Sequence, residues 1–191
     1  MHTDLIRAGI ITQDPLYRDN ELVYNWIAKS CWIYQSAEFD FPNELDNSYF
    51  IRFEGIDTSA AILLNEHQIG TTQNALRSHE FLLDQSILKS KGNELTIRIE
   101  SALSQAVGNA KAYPYVVPAS IYYNTWSEPS NRNFLRKSPK DFGWDWGPSF
   151  MPSGISGDIL ISAFRNGRLN GVVVEQSLSD DLSKATLSVL A

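Results

Sequence analysis

An all-β fold, a jelly-roll β-sandwich over residues 1–165, is predicted by three observations. Strand-like runs recur at intervals of roughly 8–12 residues. The turns between them are built from Gly, Asn and Pro, and only one stretch, Ser101 to Ala112, has helical spacing. Residues 166–191 read as a linker followed by two strands of a further unit, and two strands cannot close a core.

Taken in order, residues 1–24 show no clear period and turn at Asp14-Pro15. The charged and aromatic run from Asp14 to Leu22 reads either as a connecting loop or as the rim of a cleft. Trp26 to Phe39 reads as a strand from its alternation and its Trp32-Ile33-Tyr34 centre, and Pro42-Asn43 breaks it. Ser48 to Glu54 is a second strand, with Tyr49, Ile51 and Phe53 on one face, and Gly55 closes it. Ser59 to Asn65 reads as a more completely buried strand that turns at Asn65-Glu66-His67 into a hairpin. The Phe81-Leu82-Leu83 run leads to a turn at Lys91-Gly92-Asn93, and Leu95, Ile97 and Ile99 then line one face of a further strand. A short helix over Ser101 to Ala112 ends before Pro114. Tyr113 to Asp141 is a long, proline-rich connection of the kind that usually carries function. Gly157 to Phe164 is a strand, Arg165 to Arg168 a linker, and Leu169–Gln176 and Ala185–Leu190 are a final pair joined by a polar turn.

Composition narrows the function. With 22 acidic against 16 basic residues the net charge is −6, which repels a phosphate backbone and argues against a nucleic-acid partner. No apolar run approaches the length of about 20 residues that spans a bilayer, so no membrane partner is expected. The single cysteine, Cys31, excludes an internal disulfide, and no Asn-x-Ser/Thr sequon occurs; both favour a cytoplasmic location. His2, His67 and His79 lack metal-ligand spacing and read as surface or turn residues, and no phosphate-binding glycine loop is present, so neither metal nor cofactor is expected.

The densest chemistry lies in Asp141-Phe142-Gly143-Trp144-Asp145-Trp146-Gly147-Pro148-Ser149-Phe150. A sugar offers an apolar C–H face and a rim of hydroxyls, so its site wants a flat aromatic wall and a carboxylate acceptor. Trp144 and Trp146 can be the walls and Asp145 the acceptor, with Gly143 and Gly147 letting the backbone turn and Pro148 stiffening the exit. Residue types alone divide evenly between that reading and one in which both indoles are core residues and Asp145 caps a turn. Just upstream, Asn131 to Lys137 is either a strand with solvated charges or a rim in which Arg132 or Arg136 braces an acid. No pair of carboxylates stands out as acid and nucleophile, and no nucleophile elbow occurs, so no catalytic residue is assigned.

The segment Asn133 to Lys137, the Phe142 to Phe150 loop and Gly154-Ile155 resemble the amino-terminal domain of the β-mannosidases of glycoside hydrolase family two. His2-Thr3-Asp4-Leu5, Asp14 to Leu22, Trp32-Ile33-Tyr34 and Phe53 to Thr58 agree in order and spacing. The resemblance implies a galactose-binding-like jelly roll whose aromatic loop reaches into a separate (β/α)₈ barrel, where the family keeps its two catalytic glutamates. It implies substrate-binding roles for Trp144, Asp145 and Trp146 toward a terminal β-mannosyl unit, and an immunoglobulin-like identity for residues 169–191. The expected partners are therefore a mannose-containing oligosaccharide and a catalytic barrel, and this chain alone is not expected to catalyse. The family has a strand before the His-Thr-Asp-Leu segment, and this chain stops inside the second domain. A truncated gene model, a fragment or a split-off paralogue is the expectation; a stand-alone carbohydrate-binding module and a nonfunctional remnant are the alternatives.

Overall fold

The computed structural model describes residues 1–41, 48–118, 131–144 and 146–191. The expected break at Pro42-Asn43 lies outside them, as do Pro129 and Asp145.

Two antiparallel sheets face each other. One has the strand order β1-β6-β3-β4, from β1 (Trp32–Gln35), β3 (Ser59–Leu64), β4 (His67–Gln73) and β6 (Leu95–Ile99). The other has the order β5-β2-β7, from β2 (Ser48–Asp57), β5 (His79–Leu83) and β7 (Gly154–Phe164). Period-two patterning decides which side chains meet between them. Tyr49, Ile51 and Phe53 of β2 turn inward together with Ala60, Ile62 and Leu64 of β3 and Leu95, Ile97 and Ile99 of β6, and all belong to one buried cluster. The sandwich predicted from alternation is present.

The β3–β4 turn shows why a particular sequence makes a tight hairpin. Asn65 and Glu66 hold φ of +51° and +69°, a left-handed pair that suits the twist of the flanking strands. The Asn65 amide donates to the carbonyl of Ile87 at 2.7 Å and to Asn93 Oδ1 at 2.9 Å, while its oxygen accepts from the Glu94 N–H at 3.0 Å. Asn93 is fully buried and in turn bonds the backbone of Lys89 and Phe39. Two asparagines at turns thereby satisfy the backbone of a segment that has no ladder of its own.

Several boundaries differ from expectation. β2 does not close at Gly55 but runs on to Asp57, with its register against β7 shifting between Phe53 and Gly55. A side chain at Gly55 would collide with Ser156, so the glycine serves close strand approach rather than a strand end. β7 begins at Gly154, and the last pair is β8 (Val173–Leu178) with β9 (Ala185–Leu190). Every residue of β8 and β9 is exposed, and the two strands pair with each other.

The chain holds more helix than its spacing predicts. Besides the expected one, α4 (Ala102–Ala112), the chain forms α1 (His2–Arg7), α2 (Asn20–Val23) and α3 (Trp26–Lys29). The strand expected from Trp26 is thus confined to β1, from Trp32. The reason is tertiary: adjacent Ile27 and Ala28 are both buried but in different clusters, Ile27 with Leu5, Ile11 and Tyr24, and Ala28 with Phe142 and Met151. A single helical turn presents both neighbours inward, whereas a strand sends them to opposite faces. Ser101 then caps α4, its hydroxyl accepting from the Ser104 N–H and donating to the Ala28 carbonyl at 2.8 Å. Tyr34 of β1 donates to Asp4 at 3.0 Å, tying α1 to the sheet, and burial followed by that bond pushes the phenol well above its ordinary pKa.

The linker is fastened rather than loose. Arg168 lies 4.2 Å from the Phe50 ring centre and 5.1 Å from that of Phe164, and it pairs with Glu80.

Candidate functional site: an aromatic loop at the edge of the sandwich

The aromatic loop leaves a short 3₁₀ turn, Pro139–Phe142, and returns before β7. Phe142 and Met151, near its two ends, are buried together against Ala28, with Leu103 and Leu135 packed on them. The Met151 N–H donates to the Asp141 carbonyl at 2.9 Å, closing the loop across its base. Gly143 has φ of +88°, a conformation that side chains resist, so one of the two expected glycine turns is required. Gly147 is different. It has no left-handed φ, and its role is to pair with Trp144, whose N–H donates to the Gly147 carbonyl at 2.9 Å while the Gly147 N–H donates back at 3.3 Å.

That tight turn holds the indoles out of the core. Trp144 is 45% exposed and Trp146 85% exposed, which corrects the alternative that both are core residues. Asp145, the expected acceptor between them, lies outside the described residues.

The rim reading of Asp14–Leu22 also meets the structure here. A cleft of about 370 Å³ is lined by Pro15, Leu16, Arg18 and Glu21 from that segment and by Trp144, Trp146, Gly147 and Pro148 from the loop. Glu21 does more than line it, since its carboxylate accepts the Ser149 N–H at 2.6 Å. Arg18, in a left-handed conformation, sets its guanidinium 5.0 Å from the Tyr17 ring centre. The arrangement offers two flat apolar surfaces, one cation and one carboxylate around an open groove, a set suited to stacking and hydroxyl hydrogen bonding.

A residue missed in the sequence holds the loop. Among the described residues neither Arg132 nor Arg136 braces an acid: Arg132 donates to the Pro139 carbonyl at 3.4 Å, and Arg136 pairs through its backbone with Asn74 and Ala75. The brace is Lys137, whose fully buried side chain pairs with Asp57 and, at 3.0 Å, with Asp141. Its i,i+4 spacing to Asp141 was the available signal.

Asp57 and Asp141, the carboxylates brought together here, share this one ammonium and do not form a free acid and nucleophile. The histidines do not converge either. His79 is buried in β5 with Nε2 2.8 Å from the Asn74 carbonyl, contrary to the surface or turn place expected for it. His2 packs edge-on against Phe150 at 5.2 Å, and burial, then the nearby amino terminus, lower its pKa. Among the described residues no cluster of metal-ligating side chains occurs, and no helix is long and apolar enough to cross a membrane. A larger cavity of about 680 Å³ lies over Phe50, Glu80, Phe164 and Arg168. The glutamate and arginine there already engage each other, so the tryptophan cleft is the better candidate.

A two-sheet antiparallel sandwich that carries an aromatic loop beside a groove is the architecture of a galactose-binding-like domain. The chain belongs to the glycosyl hydrolase 2 galactose-binding domain-like family, which it matches over residues 1–157. It is 36% identical over 173 residues to a beta-mannosidase of Mus musculus, covering 89% of this chain and 19% of that protein. It is 36% identical over 154 residues to beta-mannosidase A of Emericella nidulans, covering 80% of this chain and 16% of that one. The crystal structure of a beta-D-mannosidase from Dictyoglomus thermophilum superposes with a TM-score of 0.86 at 35% identity, covering 99% of this chain and 22% of that one. The chain therefore spans about a fifth of the length of these relatives.

Proposed function

We propose that this chain is the substrate-binding amino-terminal domain of a β-mannosidase, contributing one wall of a site that receives the terminal, non-reducing mannose of a β-mannoside. The observation that carries the reading is the exposure of Trp144 and Trp146 beside the groove lined by Pro15, Leu16, Arg18 and Glu21. Indoles held out on a braced loop cost solvation, and a ligand or a neighbouring domain accounts for that placement. The names of the mouse, fungal and bacterial relatives support mannose as the sugar. Asp145 completes the set as the hydroxyl acceptor between the two walls. Hydrolysis belongs to a barrel elsewhere in the parent protein, and the β8–β9 hairpin, exposed throughout, is read as the opening pair of a second, immunoglobulin-like unit. We place the parent in the cytoplasm on the single free cysteine and the absence of sequons.

Affinity of the isolated domain is weak, because one stacking contact adds only about 0.5–1.5 kcal/mol beyond area burial. Titration of methyl β-D-mannoside into the chain, followed by the indole N–H resonances, tests the reading. Shifts confined to Trp144 and Trp146 at millimolar sugar support it, and shifts elsewhere or none overturn it. An aryl β-mannoside assay tests the second half, since turnover by this chain above a Trp144→Ala control contradicts a distant catalytic centre.

A further inference from the structure

We infer that Lys137 is the positioning residue of the tryptophan wall, a buried clamp that joins both feet of the aromatic loop to the end of β2. Its side chain is fully buried. The ammonium meets three groups from three places in the chain. Asp57 is the last residue of β2. Asp141, at 3.0 Å, lies in the 3₁₀ turn that leads into the loop. The carbonyl of Pro152, at 2.6 Å, lies in the irregular segment that leads out of it to β7.

An ammonium has three protons, and these three acceptors account for all of them. No donor is left over for a ligand, so the lysine acts on the site through the loop and not by contact. Burying a charge is costly, and a hydrophobic residue at the base of the loop would fill the same space without that cost. What the ion pair adds is direction: three acceptors at fixed positions admit one placement of the loop feet, whereas apolar packing tolerates sliding. Residues 142–151, both tryptophans included, are then a span whose two ends are held by the same atom. The Met151 N–H to Asp141 carbonyl bond at 2.9 Å closes that base in parallel.

The consequence for sugar binding rests on the function proposed above, but the clamp itself is testable without sugar. Amide hydrogen exchange is measured on the chain and on two variants. Lys137→Met removes the clamp, and Asp141→Ala frees one foot while leaving the ammonium paired with Asp57, so the test stands even if the first variant does not fold. The expected result is exchange about tenfold faster at Trp144, Gly147 and Met151, with the β3–β6 ladder unchanged, and recovery of protection in Lys137→Arg. Equal acceleration of loop and ladder, or protection at Trp144, Gly147 and Met151 retained in Asp141→Ala, overturns the clamp. A loop that loosens as expected in a chain whose indoles ignore methyl β-D-mannoside overturns the function proposed and leaves the clamp standing.

Discussion

The Glu21 carboxylate accepts the backbone N–H of Ser149 at 2.6 Å, across 128 residues of chain, and it is this contact that makes the Asp14–Leu22 segment and the aromatic loop into one groove. A charged acceptor on a backbone donor is among the stronger protein hydrogen bonds. Glu21→Ala is expected to cost about 1–2 kcal/mol in urea denaturation and to increase acrylamide quenching of the tryptophans. Unchanged quenching would show that the groove is held without Glu21.

Trp146 and Phe53 separate function from stability. Trp146 is 85% exposed and Phe53 0% exposed, the latter packed 6.2 Å from the Phe81 ring centre. Phe53→Ala is expected to lose about 3–5 kcal/mol from cavity formation. Trp146→Ala should change stability by no more than about 0.5 kcal/mol while removing the mannoside-induced shifts. Denaturation curves for the two variants decide it; a large loss in Trp146→Ala would return that indole to a structural role.

The Asn65–Asn93 pair carries a polar network inside the apolar core. Asn93→Ala strips the Lys89 N–H and the Asn65 amide of an acceptor in a buried place, and the expected cost is about 2–3 kcal/mol. Thermal unfolding measures the loss, and Asn93→Asp, which keeps the acceptor oxygen but not the donor, should fall between. If Asn93→Ala melts with the parent chain, the network is not what secures the β3–β4 turn.

Asp181, in the β8–β9 turn, has its pKa lowered to about 2, first by the Ser179 hydroxyl and then by that of Ser183, which bond it at 2.6 and 2.8 Å. The folded value lies below the ordinary 3.8, so the turn gains from Asp181 above that pH and loses the gain as pH falls toward 2. A carboxyl-carbon NMR titration should place the midpoint near 2, and Ser179→Ala with Ser183→Ala should move it up. A midpoint near 3.8 in the parent chain would mean that the serines do not hold it.

By itself the sequence determined the strands whose alternation matches their burial. Tyr49, Ile51 and Phe53, then Leu95, Ile97 and Ile99, announce an inward face because a half-buried strand has period two whatever surrounds it. The Asn65-Glu66 turn was legible because tight-turn chemistry is local. The aromatic loop stood out by composition, and its family resemblance by the order of its residues.

Tertiary structure decided the rest. Trp26–Lys29 is helical because Ile27 and Ala28 must fill two different clusters at once, and a four-residue run carries no periodicity strong enough to announce that. Residue type could not say whether Trp144 and Trp146 sit in the core or outside it; the brace beneath them decided that. It is built from Lys137, Asp57, Asp141 and Pro152, up to 95 residues apart in sequence, counting from Asp57 to Pro152. A lysine reads as a solvated surface charge until the fold carries its partners to it, and desolvation then makes the pairing obligatory.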